Sequence, residues 1–119
     1  MRAHTVLVVD DDPDVRELAV GLLREIGHDV LEASTGQEAM VLFEAHPEIA
    51  LIFTDIIMPG IDGFRVADMA KTLRPAVKVI YSTGYAGRAD EYLGVRHGEI
   101  LLKPYRGQQL SAAVAQALG

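Results

Sequence analysis

Short apolar segments alternate along the whole chain with longer segments of helical periodicity, and this alternation limits the fold more than any other feature. The apolar segments are predicted as five strands, over Thr5–Asp10, Asp29–Ala33, Ile49–Thr54, Val77–Ser82 and Ile100–Leu102. Strict alternation of strand and helix favours a parallel sheet covered by helices on both faces and joined by right-handed crossovers. We therefore predict a doubly wound α/β domain with five parallel strands, in which the polar second strand lies at an edge.

The intervening segments are predicted as about five helices. The first begins at Pro13, with Asp12 as its cap, and ends before Gly27. Its apolar positions follow helical spacing and predict one buried face, made of Val15, Leu18, Ala19, Leu22, Leu23 and Ile26. Further helices are predicted over 36–46, 64–73 and 108–118. Three glycines interrupt the stretch from 85 to 99, where we expect a short or irregular fourth helix.

Length and composition exclude several classes of protein. The chain has 119 residues, which fits a single domain over 1–119, and no cysteine, which excludes disulfides and thiolate zinc sites. Its net charge of −6 disfavours nucleic-acid binding by a basic surface. No apolar run approaches the roughly 20 residues of a membrane span, and the first residues lead into a strand rather than a secretory signal. We therefore expect a cytoplasmic protein whose partners include neither nucleic acid nor membrane.

Polar side chains follow four of the five predicted strands. Asp10 and Asp11 come at the end of the first strand, Asp55 after the third, Thr83 after the fourth and Lys103 after the fifth. In an open parallel sheet the carboxyl ends of the strands form the ligand-binding edge. Three carboxylates, a hydroxyl and an ammonium group are therefore expected to converge there.

This set of groups predicts phosphoryl chemistry. Three carboxylates within a few ångströms of one another need a cation to remain ionised together. Oxygen ligands without histidine or cysteine favour Mg²⁺ or Mn²⁺ over zinc. A lysine and a hydroxyl beside such an ion suit a phosphoryl group, and a carboxylate can be the nucleophile that accepts it. The pattern indicates a carboxylate phosphorylation site.

Four motifs along the chain carry a resemblance to a known family. They are Val-Leu-Val-Val-Asp-Asp-Asp-Pro at 6–13, Thr-Asp-Ile-Ile-Met-Pro-Gly-Ile-Asp-Gly at 54–63, Ser-Thr-Gly-Tyr at 82–85 and Leu-Leu-Lys-Pro-Tyr at 101–105. In their order they resemble response-regulator receiver domains, the CheY-like superfamily of bacterial two-component signalling, over essentially the whole chain. The resemblance implies a flavodoxin-like (βα)5 fold with strand order 2-1-3-4-5.

The resemblance also implies an acceptor and a metal site. Asp55 would accept a phosphoryl group from a phosphohistidine of a histidine kinase or a histidine phosphotransfer protein. Asp11 would bind Mg²⁺ directly and Asp10 would do so through water. The backbone carbonyl of Ile57, two residues after the acceptor, would be a further ligand, and a carbonyl ligand does not depend on the side chain.

Three more positions match family residues around the phosphoryl group. Thr83 matches the hydroxyl that moves toward this group. Strand alternation points one of Ser82 and Thr83 away from the site, and the register of the family favours Thr83. Gly84 matches the small residue that lets the backbone approach the phosphate. Lys103 matches the conserved ammonium, and the bond from Lys103 to Pro104 is expected to be cis, which would aim the lysine inward.

The chain departs from the family at the position three residues before this lysine. Many receiver domains have an aromatic residue there, whose rotation reports phosphorylation, but here the residue is Ile100. An aromatic switch is therefore not available at that position. We hypothesise that reordering of the glycine-interrupted segment 87–98 carries the signal instead.

Two bulky residues stand where the family tunes the lifetime of the phosphate. Ile57 lies two residues after the acceptor and Tyr85 two residues after the threonine. In the resemblance these positions flank the path of the attacking water. Large, mostly apolar side chains there are expected to exclude water and to slow self-dephosphorylation.

The function that follows is a phosphorylatable signalling domain in a phosphorelay, with no enzymatic activity beyond its own phosphorylation and dephosphorylation. It would change the face formed by the fourth helix, the fifth strand and the last helix, and so control binding of a downstream protein. Since nothing follows the last helix, we expect a stand-alone receiver. A receiver domain of a hybrid histidine kinase is the alternative left open.

Other functions fit the sequence less well. A phosphatase of the haloacid-dehalogenase type needs a second aspartate two residues after the nucleophile, where Ile57 stands. Receivers that act without phosphorylation usually lose an acid or the lysine, and none is lost here. A dinucleotide-binding domain is excluded because three aspartates replace its glycine-rich loop.

Overall fold

A computed structural model describes residues 3–85, 87 and 90–119 of the chain. Within these ranges it has five strands: β1 (Thr5–Val9), β2 (Asp29–Ala33), β3 (Ile49–Asp55), β4 (Lys78–Thr83) and β5 (Ile100–Leu102). The four helices whose residues are all described are α1 (Pro13–Glu25), α2 (Gly36–Ala45), α3 (Gly63–Leu73) and α4 (Gly107–Leu118). The strands form one sheet in the order β2-β1-β3-β4-β5, and every pair is parallel.

This architecture confirms the predicted fold class and strand order. The element bounds differ from the predicted ones by one or two residues, and the difference matters at two strand ends. Asp55 and Thr83 are the last residues of β3 and β4 rather than the first residues after them. The short or irregular fourth helix predicted within 85–99 falls partly on residues 86, 88 and 89, which lie outside the described residues. Residues 87 and 90 are helical, and the Glu91 N–H donates to the Gly87 carbonyl at 3.1 Å. Residues 91–98 form turns and irregular backbone.

Helices pack on both faces of the sheet, and an apolar layer lies between the sheet and each pair of helices. The strands β1 and β3 are therefore buried on both faces. On one face α1 and α4 pack against alternate strand residues, including Val6, Leu51 and Ile80. On the other face α2 and α3 pack against the intervening residues, including Leu7 and Ile52. The polar strand β2 lies at the edge of the sheet, as predicted. Within the described residues no helix is both long and apolar enough to span a membrane.

One prediction for α1 is wrong. Leu18, placed on the buried face by its spacing, is 75% exposed, whereas Val20 is buried together with Ala19 and Leu23. The helix is therefore rotated from the orientation that its apolar stripe predicts. Such a rotation changes which residues face the sheet because each residue adds about 100° around the axis.

Candidate functional site

The carboxyl ends of β1 and β3 bring three carboxylates together. Val9 at the end of β1 pairs with Thr54, so that Asp10 and Asp55 follow side by side. Asp10 and Asp55 are buried and Asp11 is exposed, and one carboxylate oxygen of each lies within 4.8 Å of those of the other two. A cluster made only of carboxylate oxygens suits a hard divalent cation, so the donor set fits the Mg²⁺ that the sequence predicts.

Lys103 completes the cluster from the far end of the chain. Its Nζ donates to Oδ2 of Asp10 at 3.0 Å and to Oδ2 of Asp55 at 3.2 Å. The bond between Lys103 and Pro104 is cis, as predicted. The ammonium thus bridges two of the three carboxylates.

Burial and charge shift the ionisation of this pair. Burial raises the pKa of the Asp55 carboxyl above its usual value, the charge of Lys103 opposes that rise, and the charge of Asp10 adds to it. Burial disfavours the charged form of Lys103, but its hydrogen bonds and the charges of Asp10 and Asp55 outweigh burial and raise its pKa. Lys103 is therefore an ammonium at neutral pH.

The end of β4 places the predicted hydroxyl beside the acceptor strand. Asp55 pairs with Ser82, and Thr83 follows as the last residue of β4, with no exposed surface. The Thr83 Oγ1 accepts a hydrogen bond of 3.1 Å from the Tyr85 backbone N–H. The backbone carbonyl of Thr83 accepts a hydrogen bond of 2.8 Å from the Lys103 backbone N–H. The hydroxyl is thus tied to the loop after β4.

Around Gly84 there is open space. A Cβ built there would meet no heavy atom of the described residues within 4 Å, and Gly84 itself is exposed. The site is therefore open on this side, at the position where the sequence predicts close approach of a phosphoryl group.

The loop between β3 and α3 is held against the acceptor. Asp62 caps α3 by accepting from the Arg65 N–H at 2.9 Å, and the Gly63 N–H donates to the Ile56 carbonyl at 2.9 Å. A Cβ at Gly63 would collide with the backbone oxygen of Asp55, so only glycine permits this approach. Ile57, in the same loop, is half-buried against the aromatic cluster beside β4.

A polar network next to this loop was not predicted from the sequence. Asp68 on α3 accepts from the Tyr92 hydroxyl at 3.1 Å with Oδ2, and its Oδ1 lies 2.8 Å from Nε2 of His97. The Tyr92 ring stacks on Phe64, with centroids 3.8 Å apart. The segment after β4 is thereby attached to α3. These partners lie 24 and 29 residues apart, and no local pattern relates them.

Arg16 near the start of α1 was also missed. Its guanidinium donates to the backbone carbonyl of Asp10 at 2.8 Å and to Oε1 of Glu32 at 3.2 Å. Helix caps and strand ends are visible in a sequence, but a contact from a side chain to a carbonyl is not. An arginine shortly after the acidic turn is the only local signal for it.

The described residues form an α/β domain with a carboxylate cluster and a bridging lysine at the carboxyl edge of its sheet, and comparison with known proteins assigns this domain to a family. The family model for the response regulator receiver domain matches residues 6–115. The chain therefore belongs to the response regulator receiver domain family of two-component signalling.

Individual relatives share this assignment. The chain is 30% identical to the response regulator receiver protein CpdR of Brucella abortus over 115 residues, 95% of each sequence. It is 35% identical to the receiver domain of the hybrid histidine kinase CckA, with a TM-score of 0.82, covering 97% of this chain and 99% of that one. It is 31% identical to the response regulator TrrA of Thermotoga maritima, solved in complex with Mg²⁺-BeF, with a TM-score of 0.87 and coverage of 96% and 98%.

Longer proteins also match. The chain spans about half the length of the first curated relatives, which are regulatory proteins, at 49%, 47% and 46% of their sequences. The receiver domain therefore occurs in these relatives as one part of a larger regulator.

Proposed function

We propose that this domain accepts a phosphoryl group on Asp55 from the phosphohistidine of a histidine kinase or a histidine phosphotransfer protein. One observation carries the proposal: Asp55 lies within 4.8 Å of Asp10 and Asp11, measured between carboxylate oxygens, while Lys103 Nζ lies 3.2 Å from it. Carboxylates crowded around an ammonium group form a site for a divalent cation. The cation and the ammonium group can together bind the negatively charged oxygens of a phosphoryl group.

The chemistry is a substitution at phosphorus. A carboxylate oxygen of Asp55 forms a bond to phosphorus, the bond from phosphorus to the donor's imidazole nitrogen breaks, and that nitrogen takes up a proton. Lys103 places a positive charge where charge develops on the phosphoryl oxygens. The side chain of Thr83 is suited to donate to one of these oxygens. The domain modifies only itself, so it has no other enzymatic activity in this proposal.

Asp10, Asp11, Asp55 and the backbone carbonyl of Ile57 would hold Mg²⁺. The bound ion would neutralise the carboxylates and bind phosphoryl oxygens. A solved relative, TrrA of Thermotoga maritima, holds Mg²⁺-BeF and supports this assignment.

An apolar groove beside Lys103 is suited to the donor protein. It has a volume of about 500 Å³ and lies between α1 and the loop after β5. Leu18, Leu22, Pro104 and Tyr105 line it, and Leu18 is largely exposed. An exposed apolar side chain next to a charged reaction site favours docking of a helix that carries the phosphohistidine.

The output would begin at Thr83. Movement of its hydroxyl toward a phosphoryl group would break the hydrogen bond from the Tyr85 N–H and release the start of the loop after β4. The changed surface would comprise segment 87–98, β5 and α4, and it would recognise a downstream protein. The sequence leaves open a stand-alone receiver and a receiver domain of a hybrid kinase. The chain has a relative of each kind: CpdR is a receiver protein of similar length, and the CckA domain belongs to a hybrid histidine kinase. The cytoplasmic location stays a prediction.

The test is intact mass after incubation with Mg²⁺ and a small acyl phosphate. Wild type should gain the mass of one phosphoryl group and Asp55→Asn should gain none. Asp12→Asn is the matched control because Asp12 is an exposed helix cap beside the site, and asparagine caps equally well. An adduct on Asp55→Asn, or none on wild type with both the acyl phosphate and a phosphohistidine donor, would contradict the proposal.

A further inference from the structure

Asp10 is held by hydrogen bonds on every polar group it has. Its N–H donates to the Ala33 carbonyl at 3.1 Å, Oδ1 accepts from the Asp12 N–H at 2.9 Å, and Oδ2 accepts from Lys103 at 3.0 Å. The remaining group is its carbonyl, which accepts from Arg16 at 2.8 Å. Arg16 thus acts directly on the carbonyl of the peptide that joins Asp10 to Asp11.

Arg16 reaches this carbonyl from a fixed position. Its Nε donates to Glu32 of β2 at 3.2 Å while its terminal nitrogen donates to Asp10, and its side chain is 20% exposed. The planar guanidinium presents both donors in one rigid group, which a lysine cannot do. The side chain therefore links β2, α1 and the turn after β1.

Asp11 is the carboxylate that most needs such support. Asp10 and Asp55 are buried, whereas Asp11 is exposed. The Asp10 carbonyl and the Asp11 nitrogen share one rigid peptide plane, so a hydrogen bond to the carbonyl sets the direction in which Asp11 leaves the turn.

We propose that Arg16 is a positioning residue for the divalent cation: its hydrogen bond to the Asp10 carbonyl holds the Asp11 carboxylate toward Asp10 and Asp55. This inference rests on the proposed function. Groups that orient metal ligands from outside the coordination sphere typically contribute about 10- to 100-fold to metal affinity.

The positive charge of Arg16 and its proposed positioning role predict opposite changes in Mg²⁺ affinity when Arg16 is replaced. Arg16 is a cation near three carboxylates, so its charge alone would repel Mg²⁺, and its removal would tighten binding. Loss of positioning would weaken binding instead. The sign of the change therefore separates the two roles.

The experiment is calorimetric titration of the unphosphorylated protein with Mg²⁺, comparing wild type with Arg16→Met and Arg16→Lys. We expect Arg16→Met to weaken binding about tenfold, and Arg16→Lys, which keeps the positive charge but loses the rigid pair of donors, to weaken it as well. Arg65→Met removes an exposed cation from the first turn of α3 and should leave the affinity unchanged or slightly higher. Equal or tighter binding by Arg16→Met would overturn the proposal.

The Mg²⁺ dependence of phosphorylation and its rate at saturating Mg²⁺ test the same role of Arg16. The Mg²⁺ concentration for half-maximal phosphorylation should rise in Arg16→Lys, while the rate at saturating Mg²⁺ stays near that of wild type. If Arg16→Met does not fold, Arg16→Lys decides alone, and an unchanged affinity overturns the proposal. Absence of Mg²⁺ binding by wild type would instead overturn the proposed function, so the two failures are distinguishable.

Discussion

The ammonium of Lys103 lies 3.2 Å from the carboxylate of Asp55, although the two residues are 48 positions apart in the chain. The same nitrogen contacts Asp10 at 3.0 Å. A fixed cation thus occupies part of the carboxylate cluster that is proposed to hold a divalent one. Lys103 stabilises the cluster without metal and, in the proposed function, would supply positive charge for the phosphoryl group.

Replacing Lys103 should separate these two effects. Lys103→Gln is expected to bind Mg²⁺ more tightly than wild type because a competing charge is lost. Its phosphorylation by an acyl phosphate should be slower by about 100-fold because charge on the phosphoryl oxygens is no longer compensated. Calorimetry and initial rates measure the two quantities. Lys71→Gln, on the last turn of α3, is the control, and a wild-type rate in Lys103→Gln would contradict the role of the ammonium.

Asp55→Asn should raise the stability of the metal-free protein by about 1 kcal/mol, because it removes a crowded carboxylate and keeps an oxygen for Lys103. The folded-state pKa of Asp55 is raised above 3.8, so its ionised form destabilises the fold. The gain should be absent below about pH 3.8 and complete above the raised pKa. Denaturant unfolding across this range measures it.

Addition of Mg²⁺ should have different effects on the stability of wild type and of Asp55→Asn. It should raise the melting temperature of wild type through binding to the folded state and should have a much smaller effect on Asp55→Asn. Asp12→Asn should behave as wild type in both respects. An equal response of Asp55→Asn and wild type to Mg²⁺ would place the ion elsewhere.

Ile57→Asn is expected to speed the loss of phosphate about tenfold, which corresponds to about 1.4 kcal/mol of activation free energy. Ile57 is half-buried two residues after the acceptor and is expected to exclude the attacking water, whereas an amide could orient this water. The half-life of the phosphorylated protein, followed by intact mass, measures the change. Val41→Asn, on the exposed side of α2, is the control, and equal half-lives would count against this role of Ile57.

Tyr92→Phe should loosen the attachment of segment 91–98 to α3. The variant keeps the stack on Phe64 but loses the hydrogen bond to Asp68, which is worth about 1 kcal/mol. Amide exchange in this segment should become about fivefold faster. Tyr85→Phe, whose hydroxyl lies on an exposed ring, is the control.

Phosphorylation of wild type should change the backbone relaxation of segment 87–98. The hydrogen bond between Tyr85 and Thr83 links it to the site, and Ile100 leaves no aromatic switch at the usual position. Identical relaxation with and without phosphate would refute the hypothesis that this segment carries the signal.

Leu18→Glu should distinguish the docking groove from the reaction site. The Leu18 side chain is 75% exposed and is not one of the residues proposed to hold the metal or the phosphoryl group, so phosphorylation by an acyl phosphate is expected to keep its wild-type rate. Transfer from a phosphorylated histidine phosphotransfer domain should slow by tenfold or more because an apolar contact worth about 1.5 kcal/mol is lost. Val41→Glu is the matched control, and equal transfer by both variants would contradict the groove.

Much of the fold was predictable from local patterns. Continuous apolar runs identified β1, β3 and β4, and the polar run at 29–33 identified an edge strand. Asp12 and Pro13 marked the start of α1 because capping and proline preferences act over a few residues. The convergence of Asp10, Asp11, Asp55 and Lys103 followed from a rule about the ends of parallel strands.

Contacts between distant segments were not predictable. The burial of Val20 in place of Leu18 depends on how α1 is rotated against the sheet. The attachment of Tyr92 to Asp68 depends on where α3 and the segment after β4 meet. Arg16 finds the Asp10 carbonyl only once β2 and α1 flank the turn.

By itself, the sequence determined which elements form, in what order, and which charged groups meet at the edge of the sheet. These properties depend on periodicity, strand ends and turn chemistry, which are encoded within short stretches. The tertiary structure alone decided the helix rotation that exposes Leu18, the pairing of Lys103 with both Asp10 and Asp55, and the support that Arg16 gives to the acidic turn. Each depends on distances between atoms far apart in the chain, and packing sets such distances.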